Sequence, residues 1–450
     1  MEKEIVKLIT HKFYSIKRSD HMNKFKIAII GAGSTYTPEL IEGIINRSAV
    51  LPVTELTLMD IDERKLSIVG GLCKRMVEKA GLKLQFSLTM ELTEALCDAD
   101  FVLSQIRVGK LACRILDEKI PMKYGFIGQE TTGMGGFFKA LRTIPVMFEI
   151  AKKMEELCPD AWLINFSNPS GILAQALQNH TKIKTLGLCN VPINMFAGVE
   201  ETLGESNLDI EYVGLNHLSF ITGIKSNGKD MLQNALDQGV QGHGMKNIPL
   251  QGFSQDLIQT IRAIPSSYLE YFYFKDDKLK HLLEEDKSRG EVCVEIEEHL
   301  LEQYQQEALA EKPKELEKRG GARYSEAAIS LVDAIYNDKK ERHVVNILNQ
   351  GALDFMAEDD TVEVAAIIGR DGATPVPIHN FTNQHVIELM QTVKAYERHT
   401  VLAALEGDDN EALRALLIHP LVGDYNKAKL CYEEMKIAHK AYLPQFIVKN

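Results

Sequence analysis

Two stretches of this chain carry side chains whose types and placement suit chemistry. Lys184-Thr-Leu-Gly-Leu-Cys-Asn-Val-Pro-Ile193 reads as a short buried strand, Thr185 to Leu188, that ends in a polar tip. Asn190 can cap the helix that follows, and Pro192 suits its first turn. Cys189 then falls at the carboxyl end of a strand, beside a helix N-terminus. Open α/β sheets place ligands there, and a thiolate is favoured there. The competing reading is a small buried thiol next to a capping amide. Further on, Gly214-Leu-Asn-His217-Leu-Ser-Phe220 sets a lone histidine between apolar residues after a tyrosine-bearing strand. One Cys and one His fall short of the four ligands of a closed structural zinc site. They fit an open metal site that a substrate completes.

The elements that must position these groups begin with Phe25-Lys-Ile-Ala-Ile-Ile-Gly31, a buried strand running into a glycine turn. Gly31-Ala-Gly33-Ser34-Thr35-Tyr36-Thr37-Pro38 follows, and then an amphipathic helix through Asn46, with Thr37 as N-cap and Pro38 at its first position. Two glycines allow a tight turn and close backbone approach to a pyrophosphate resting on the helix N-terminus. The third glycine of the dinucleotide fingerprint is replaced by Tyr36. The second strand, Glu55-Leu-Thr-Leu-Met-Asp60, ends on an acid near where the ribose-binding carboxylate belongs. Such a carboxylate accepts from the 2′-hydroxyl of NAD and repels the 2′-phosphate of NADP. Asp62 is its rival, and an acid drawn to a helix N-terminus is the non-functional alternative.

Strands at Ala99–Ile106 and Ala161–Phe166, alternating with helical stretches, imply a parallel, doubly wound sheet up to about Ile193. Three loops at successive strand ends are rich in functional types. Arg107-Val-Gly-Lys-Leu-Ala-Cys-Arg114 carries two arginines. Gly128-Gln-Glu130-Thr-Thr-Gly-Met-Gly-Gly136 leads into a helix from Phe137. Asn165-Phe-Ser-Asn168-Pro-Ser-Gly171 ends its strand in amides and hydroxyls. Beyond Ile193 helices dominate, with strands at Tyr212-Val-Gly and Thr361-Val-Glu-Val-Ala. Ile264–Tyr273 is aromatic-rich at helical spacing, as a core segment would be. Lys318-Arg-Gly-Gly-Ala-Arg323-Tyr-Ser325 is a basic glycine loop that either holds a phosphate or is a solvated turn. Long helices close the chain from His385.

Composition narrows the class. The 450 residues are enough for two domains, and 45% apolar with 25% charged is ordinary for a soluble globular protein. A net charge of −12 argues against a nucleic-acid or anionic-membrane partner, though not against an anionic substrate at a locally basic site. Seven scattered cysteines without CxxC spacing fit reduced thiols in a cytoplasm. No apolar run approaches membrane-spanning length. The domain expectation is residues 1–21 as an N-terminal extension ahead of Met22, 22–195 as a Rossmann-type NAD-binding domain, and 196–450 as a mainly helical α+β catalytic domain.

Eight segments in order then carry a resemblance. They are Ile-Gly31-Ala-Gly-Ser-Thr-Tyr-Thr-Pro-Glu39, the Arg114 loop, Ile127-Gly-Gln-Glu-Thr-Thr-Gly133, Asn168-Pro-Ser-Gly, Cys189-Asn-Val-Pro, Gly214-Leu-Asn-His217, Pro265-Ser-Ser-Tyr268-Leu and Arg319-Gly-Gly-Ala. The chain resembles glycoside hydrolase family 4, the NAD-dependent 6-phospho-glycosidases, which depart from the usual two-carboxylate scheme. The Cys-Asn-Val-Pro form is similar to the branch acting on 6-phospho-β-glucosides; the α-specific branch has Asp where this chain has Asn190. The resemblance implies transient oxidation of the sugar at C3 by NAD, C2 deprotonation, C1–O elimination, water addition and return of the hydride. It implies Cys189 and His217 as ligands of a divalent metal, usually Mn²⁺, a Lewis acid toward the developing ketone. It makes Tyr268 the C2 base, assisted by Glu130, with a metal and an arginine favouring the phenolate. It places Arg114, Asn168, Asn190 and Arg289 at the substrate. Gly31, Gly33, Ser34, Thr35 and Asp60 would hold NAD. Asn190 cannot protonate a leaving group, which leaves the general acid unassigned. A cytoplasmic homodimer or homotetramer is implied.

Three alternatives carry different signatures. A lactate/malate-type 2-hydroxyacid dehydrogenase shares the Rossmann core but converts NAD to NADH without a metal. A non-catalytic NAD sensor binds cofactor without turnover. An α-specific or unphosphorylated-sugar enzyme of the same family differs in anomer or phosphate preference.

Overall fold

The computed structural model describes residues 24–239, 252–319 and 324–446. The 1–21 extension and Arg323 of the basic loop lie outside the described residues. Six strands come first: β1 (Lys26–Ile30), β2 (Glu55–Met59), β3 (Gln85–Thr89), β4 (Phe101–Ser104), β5 (Trp162–Asn165) and β6 (Lys184–Gly187). They pair in parallel in the order β3-β2-β1-β4-β5-β6. This is the doubly wound dinucleotide-binding order, whose switch point lies between β1 and β4. All five residues of β1 are buried, as a strand covered by helices on both faces requires. β3, at the edge, is largely half-exposed.

A second, antiparallel sheet is built from β7 (Asp209–Leu215), β8 (Leu218–Ser226), the short β9 (Lys229–Asp230) and β10 (Ile264–Pro265). The chain then returns to the first sheet. β11 (Glu341–Leu348), β12 (Thr361–Gly369) and β13 (Gly372–Pro375) add to β6 as antiparallel strands, giving nine in all. The C-terminal half therefore supplies a third of the sheet that the dinucleotide half begins. Hydrophobic periodicity within each half gives no sign of this, because strand partners are chosen by tertiary packing. Helices Gln384–Glu406, Asp409–Ile418 and Tyr425–Ala438 close the structure and pack on the helix Gly133–Leu157.

Local expectations shift in four places. Tyr36, not Thr37, is the N-cap of Thr37–Asn46. The Thr37 hydroxyl instead donates to the Ala32 carbonyl at 2.8 Å and accepts from Gln105 at 2.7 Å. Arg114 lies within a helix, Lys110–Met122, which starts at Gly109 in the left-handed region with φ +79. The glycine-dense segment is helical from Gly133 rather than Phe137. Gly135 and Gly136 are helix residues pressed against other backbone: a Cβ on them would lie 2.3 Å from the Gln129 carbonyl oxygen and 2.5 Å from the Thr131 carbonyl carbon. The aromatic Ile264–Tyr273 stretch is β10, a 3₁₀ turn and one short helix rather than a continuous helix.

Candidate active site

The carboxyl ends of β1, β2, β4 and β5 open onto one cavity of about 730 Å³. Gly31, Gly33, Ser34 and Asp60 line one part of it; Arg114, Glu130, Asn168, Asn190, His217 and Tyr268 line another. Gly31 takes φ +86, and a Cβ there would sit 3.0 Å from the Gln105 backbone. Asp60 receives the Gly33 and Asp62 N–H groups, each at 2.8 Å, one on each carboxylate oxygen. This holds it at the lip of the glycine turn. Asp62 is otherwise engaged: it caps the helix Glu63–Lys79 through the Lys65 N–H at 3.1 Å and pairs with Lys110 at 2.6 Å. The glycine turn, the helix N-terminus behind it and this carboxylate fit the pyrophosphate and ribose of a dinucleotide. Thr35 does not line the cavity; it is buried and its carbonyl accepts from the Tyr304 hydroxyl at 2.8 Å.

His217 occupies the second position of the two-residue turn between β7 and β8, with φ +66. Glycine or asparagine usually fills such a position, so strain is retained where an imidazole stands. The ring lies flat against Tyr268, centroids 3.8 Å apart and planes 8° apart. Burial, with the Lys139 charge second, pulls His217 down to about 3, so it stays neutral and able to ligate. Its Nδ1 is buried without a hydrogen-bond partner. Cys189 follows β6 and is buried just behind the cavity wall. The Val191 and Asn190 N–H groups and the Asn216 side chain favour the ionised form of its thiol. Burial and the Glu363 carboxylate nevertheless raise it, so the helix N-terminus alone does not make the thiolate. Among the described residues no cluster of three or more His, Cys, Asp or Glu forms a closed metal site. The orphaned imidazole nitrogen and the anchored thiol fit an open one, in which a divalent cation would supply the charge that ionises the thiol.

Glu130 sits among three cations. Arg107 pairs with its Oε2, Lys139 with the same oxygen at 2.7 Å, and Arg114 with Oε1 at 2.9 Å. Burial alone would raise this carboxyl, but the arginines and the lysine outweigh it and hold it well below the ordinary range. Lys139, buried and crowded by those arginines, is drawn down to about 7. Tyr268 is raised by burial and by the neighbouring Cys189; a hydrogen bond with Thr131 opposes this. Against the expectation of an activating arginine, the Glu130 carboxylate raises it further, and Arg107 and Arg114 are spent on that carboxylate. Asn190 is the N-cap residue of Val191–Leu203 without a side-chain capping bond, so its amide is not tied to the helix end.

Arg289 is the one substrate candidate placed elsewhere. It does not line the cavity. As the first residue of the helix Arg289–Tyr304 it donates to the Lys318 and Arg319 carbonyls at 3.1 and 3.2 Å. It thereby holds the backbone that carries Arg319, whose own buried guanidinium lines the cavity 5.4 Å over the Tyr36 ring. Lys139 and Glu363 were not singled out from sequence. The only signal for Glu363 is an acid inside the apolar strand run Thr361-Val-Glu-Val-Ala.

Residues 26–205 match the family 4 glycosyl hydrolase domain, and residues 212–422 match the family 4 glycosyl hydrolase C-terminal domain. The chain is 44% identical over 436 residues to the 6-phospho-beta-glucosidase of Escherichia coli K12, covering 94% of this chain and 97% of that one. It is 30% identical to the 6-phospho-alpha-glucosidase 1 of Lacticaseibacillus paracasei, over 94% and 99% of the two chains. The 6-phospho-beta-glucosidase structure from Thermotoga maritima with manganese, NAD⁺ and glucose-6-phosphate superposes with a TM-score of 0.85. It is 34% identical and covers 93% of this chain and 99% of that one. With both of its family domains matched and relatives aligned nearly end to end, the chain belongs to glycosyl hydrolase family 4.

Proposed function

We propose that this glycosidase hydrolyses 6-phospho-β-glucosides to glucose 6-phosphate and the aglycone, using NAD and a divalent metal, of which Mn²⁺ is the first choice. The observation that carries this reading is a shared wall: the dinucleotide turn with Asp60 and the stacked His217–Tyr268 pair face one cavity. A dehydrogenase needs only the first of these. When bound, NAD supplies a reversible hydride acceptor for C3, and the metal polarises the sugar oxygens.

The chain's own groups do the rest. Asp60 accepts from the cofactor ribose. Cys189 and His217 ligate the metal. Arg114, Asn168 and Asn190 orient the sugar, and Arg319, backed by Arg289, adds positive charge to the cavity wall. Tyr268 takes the C2 proton. Buried and close to the Glu130 carboxylate, its phenol stays protonated in the bare protein, so its basicity depends on positive charge arriving at the Cys189–His217 corner. Glu130, fixed as an anion, spaces the three cations rather than moving a proton itself. Asn190, where α-specific members carry Asp, offers an amide that orients the glycosidic oxygen but cannot protonate it; this favours the β reading. We extend the reading to a cytoplasmic homodimer or homotetramer with a functional division near residue 195. All seven cysteines are unpaired, and among the described residues no helix is long and apolar enough to cross a membrane.

The test is hydrolysis of p-nitrophenyl β-glucoside 6-phosphate under reductant, omitting NAD and Mn²⁺ in turn. Activity that requires both, with no NADH accumulating, is expected. Activity indifferent to NAD after bound cofactor is stripped would defeat the reading. Preference for the α-anomer would move the chain to the other branch.

A further inference from the structure

Behind the metal corner lies a buried carboxylate that the reaction scheme does not use. Glu363 is fully buried on β12, between Val362 and Val364. It stands opposite Asn346 of β11, which in turn stands opposite Gly187 of β6, two residues before Cys189. Three neutral donors hold it: the Tyr212 hydroxyl at 2.7 Å and the side-chain amides of Asn216 and Asn346, each at 3.1 Å. The amide orientations are fixed. Asn216 Oδ1 accepts from the Gly171 N–H at 3.4 Å, and Asn346 Nδ2 also reaches the Gly187 carbonyl at 3.4 Å. Both Nδ2 groups must therefore face the carboxylate, and Asn216 stands directly before His217 in the two-residue turn between β7 and β8. Among the described residues no lysine or arginine pairs with Glu363.

A carboxylate buried without a counter-charge is costly. A cation held by Cys189 and His217 would supply that counter-charge. Three donors with no acceptor opposite them suit the ionised form, and the relay runs from that anion through Asn216 to the turn that carries His217. We propose that Glu363 is a positioning residue for the metal corner: through Asn216 it fixes the turn that carries His217, through Asn346 it fixes the end of β6 that leads to Cys189, and it adds a negative charge behind both. The inference rests on Cys189 and His217 being the metal ligands. Outer-shell partners of this kind orient ligands and tune affinity without touching substrate.

The experiment is direct Mn²⁺ binding to the full chain without sugar, read from the electron paramagnetic resonance of free Mn²⁺, beside NAD binding and thermal unfolding of the metal-free protein. Glu363→Gln is expected to weaken Mn²⁺ binding by roughly 10–100-fold. NAD affinity should stay at the parent value, which a general loss of structure would not allow. Mn²⁺ affinity equal to the parent's overturns the proposal. Cys189→Ser separates the two levels: if it binds Mn²⁺ as the parent does, or if the parent binds none, the ligand assignment itself fails and takes this inference with it. Should Glu363→Gln not fold, Glu363→Asp decides. It keeps the charge but withdraws it from Asn216, so weakened binding supports the relay and parent-like binding overturns it.

Discussion

Glu130 and Glu363 are both buried carboxylates near the same catalytic corner, yet their surroundings drive them in opposite directions. Glu130 is ringed by Arg107, Arg114 and Lys139 and is held well below the ordinary carboxylate range. Glu363 has only a phenol and two amides, and burial lifts it to about 7 against their pull. The difference shows what decides a buried charge: formal cations overcome desolvation, whereas neutral donors only reduce it. It also separates two tasks. Glu130 holds a group of cations together and cannot accept a proton at working pH. Glu363, held by neutral donors alone, stays close to the point of taking up a proton.

The largest effects should come from the corner both carboxylates flank. Cys189→Ser should lower turnover at least 100-fold, about 3 kcal/mol of transition-state stabilisation, while NAD titration by fluorescence stays near the parent curve. Full activity of that variant in Mn²⁺-replete buffer would break the assignment. Tyr268→Phe should lose solvent deuterium exchange at C2 by a similar factor; exchange at the parent rate would mean another base.

Stability gives the sharpest contrast between the two acids. Glu130→Gln leaves three cations facing one another, and urea unfolding should show a loss of about 3–5 kcal/mol. In Glu363→Gln, relief of carboxylate desolvation offsets the donor left unpaired, so the metal-free protein should change by less than about 2 kcal/mol. Equal losses in the two variants would erase the distinction.

Acid titration follows with its sign set by Glu130. Its carboxyl lies lower in the folded protein than the unfolded value of 4.5. Its contribution is therefore present above that pH and lost as pH falls toward the folded value. Unfolding free energy should drop on acidification below about 4.5 in the parent, and more shallowly in Glu130→Gln. The smallest effect concerns the cofactor end. Asp60→Asn should weaken NAD by about 1–2 kcal/mol and narrow the preference over NADP, measured by competitive binding.

The cofactor end of the site was far more legible than the metal end. Gly31, Gly33 and Asp60 lie on contiguous strand–turn segments, so spacing alone placed them at one lip. Arg289 shows where that legibility stops. It lies within the matched C-terminal family domain, but its guanidinium is taken by the Lys318 and Arg319 carbonyls, and Arg319 faces the cavity instead. No local pattern distinguishes which of two nearby arginines turns inward. Arg114 was legible as a residue and misplaced as a loop, because the helix it joins begins at a glycine that reads equally well as a turn.

By itself the sequence determined the alternation of strands and helices, the glycine turn with its following acid, and the order of the eight segments that mark the family. Those depend on hydrophobic period, caps and turn residues, which are properties of neighbours in the chain. Only the tertiary structure decided that β11 to β13 complete the first sheet and that His217 stacks on Tyr268. It alone brought Tyr212 and Glu363, 151 residues apart, within 2.7 Å behind Cys189. Proton affinity is the last quantity of this kind: burial and the charges supplied by distant strands set it, so Glu130 and Glu363 part company only once the chain has folded.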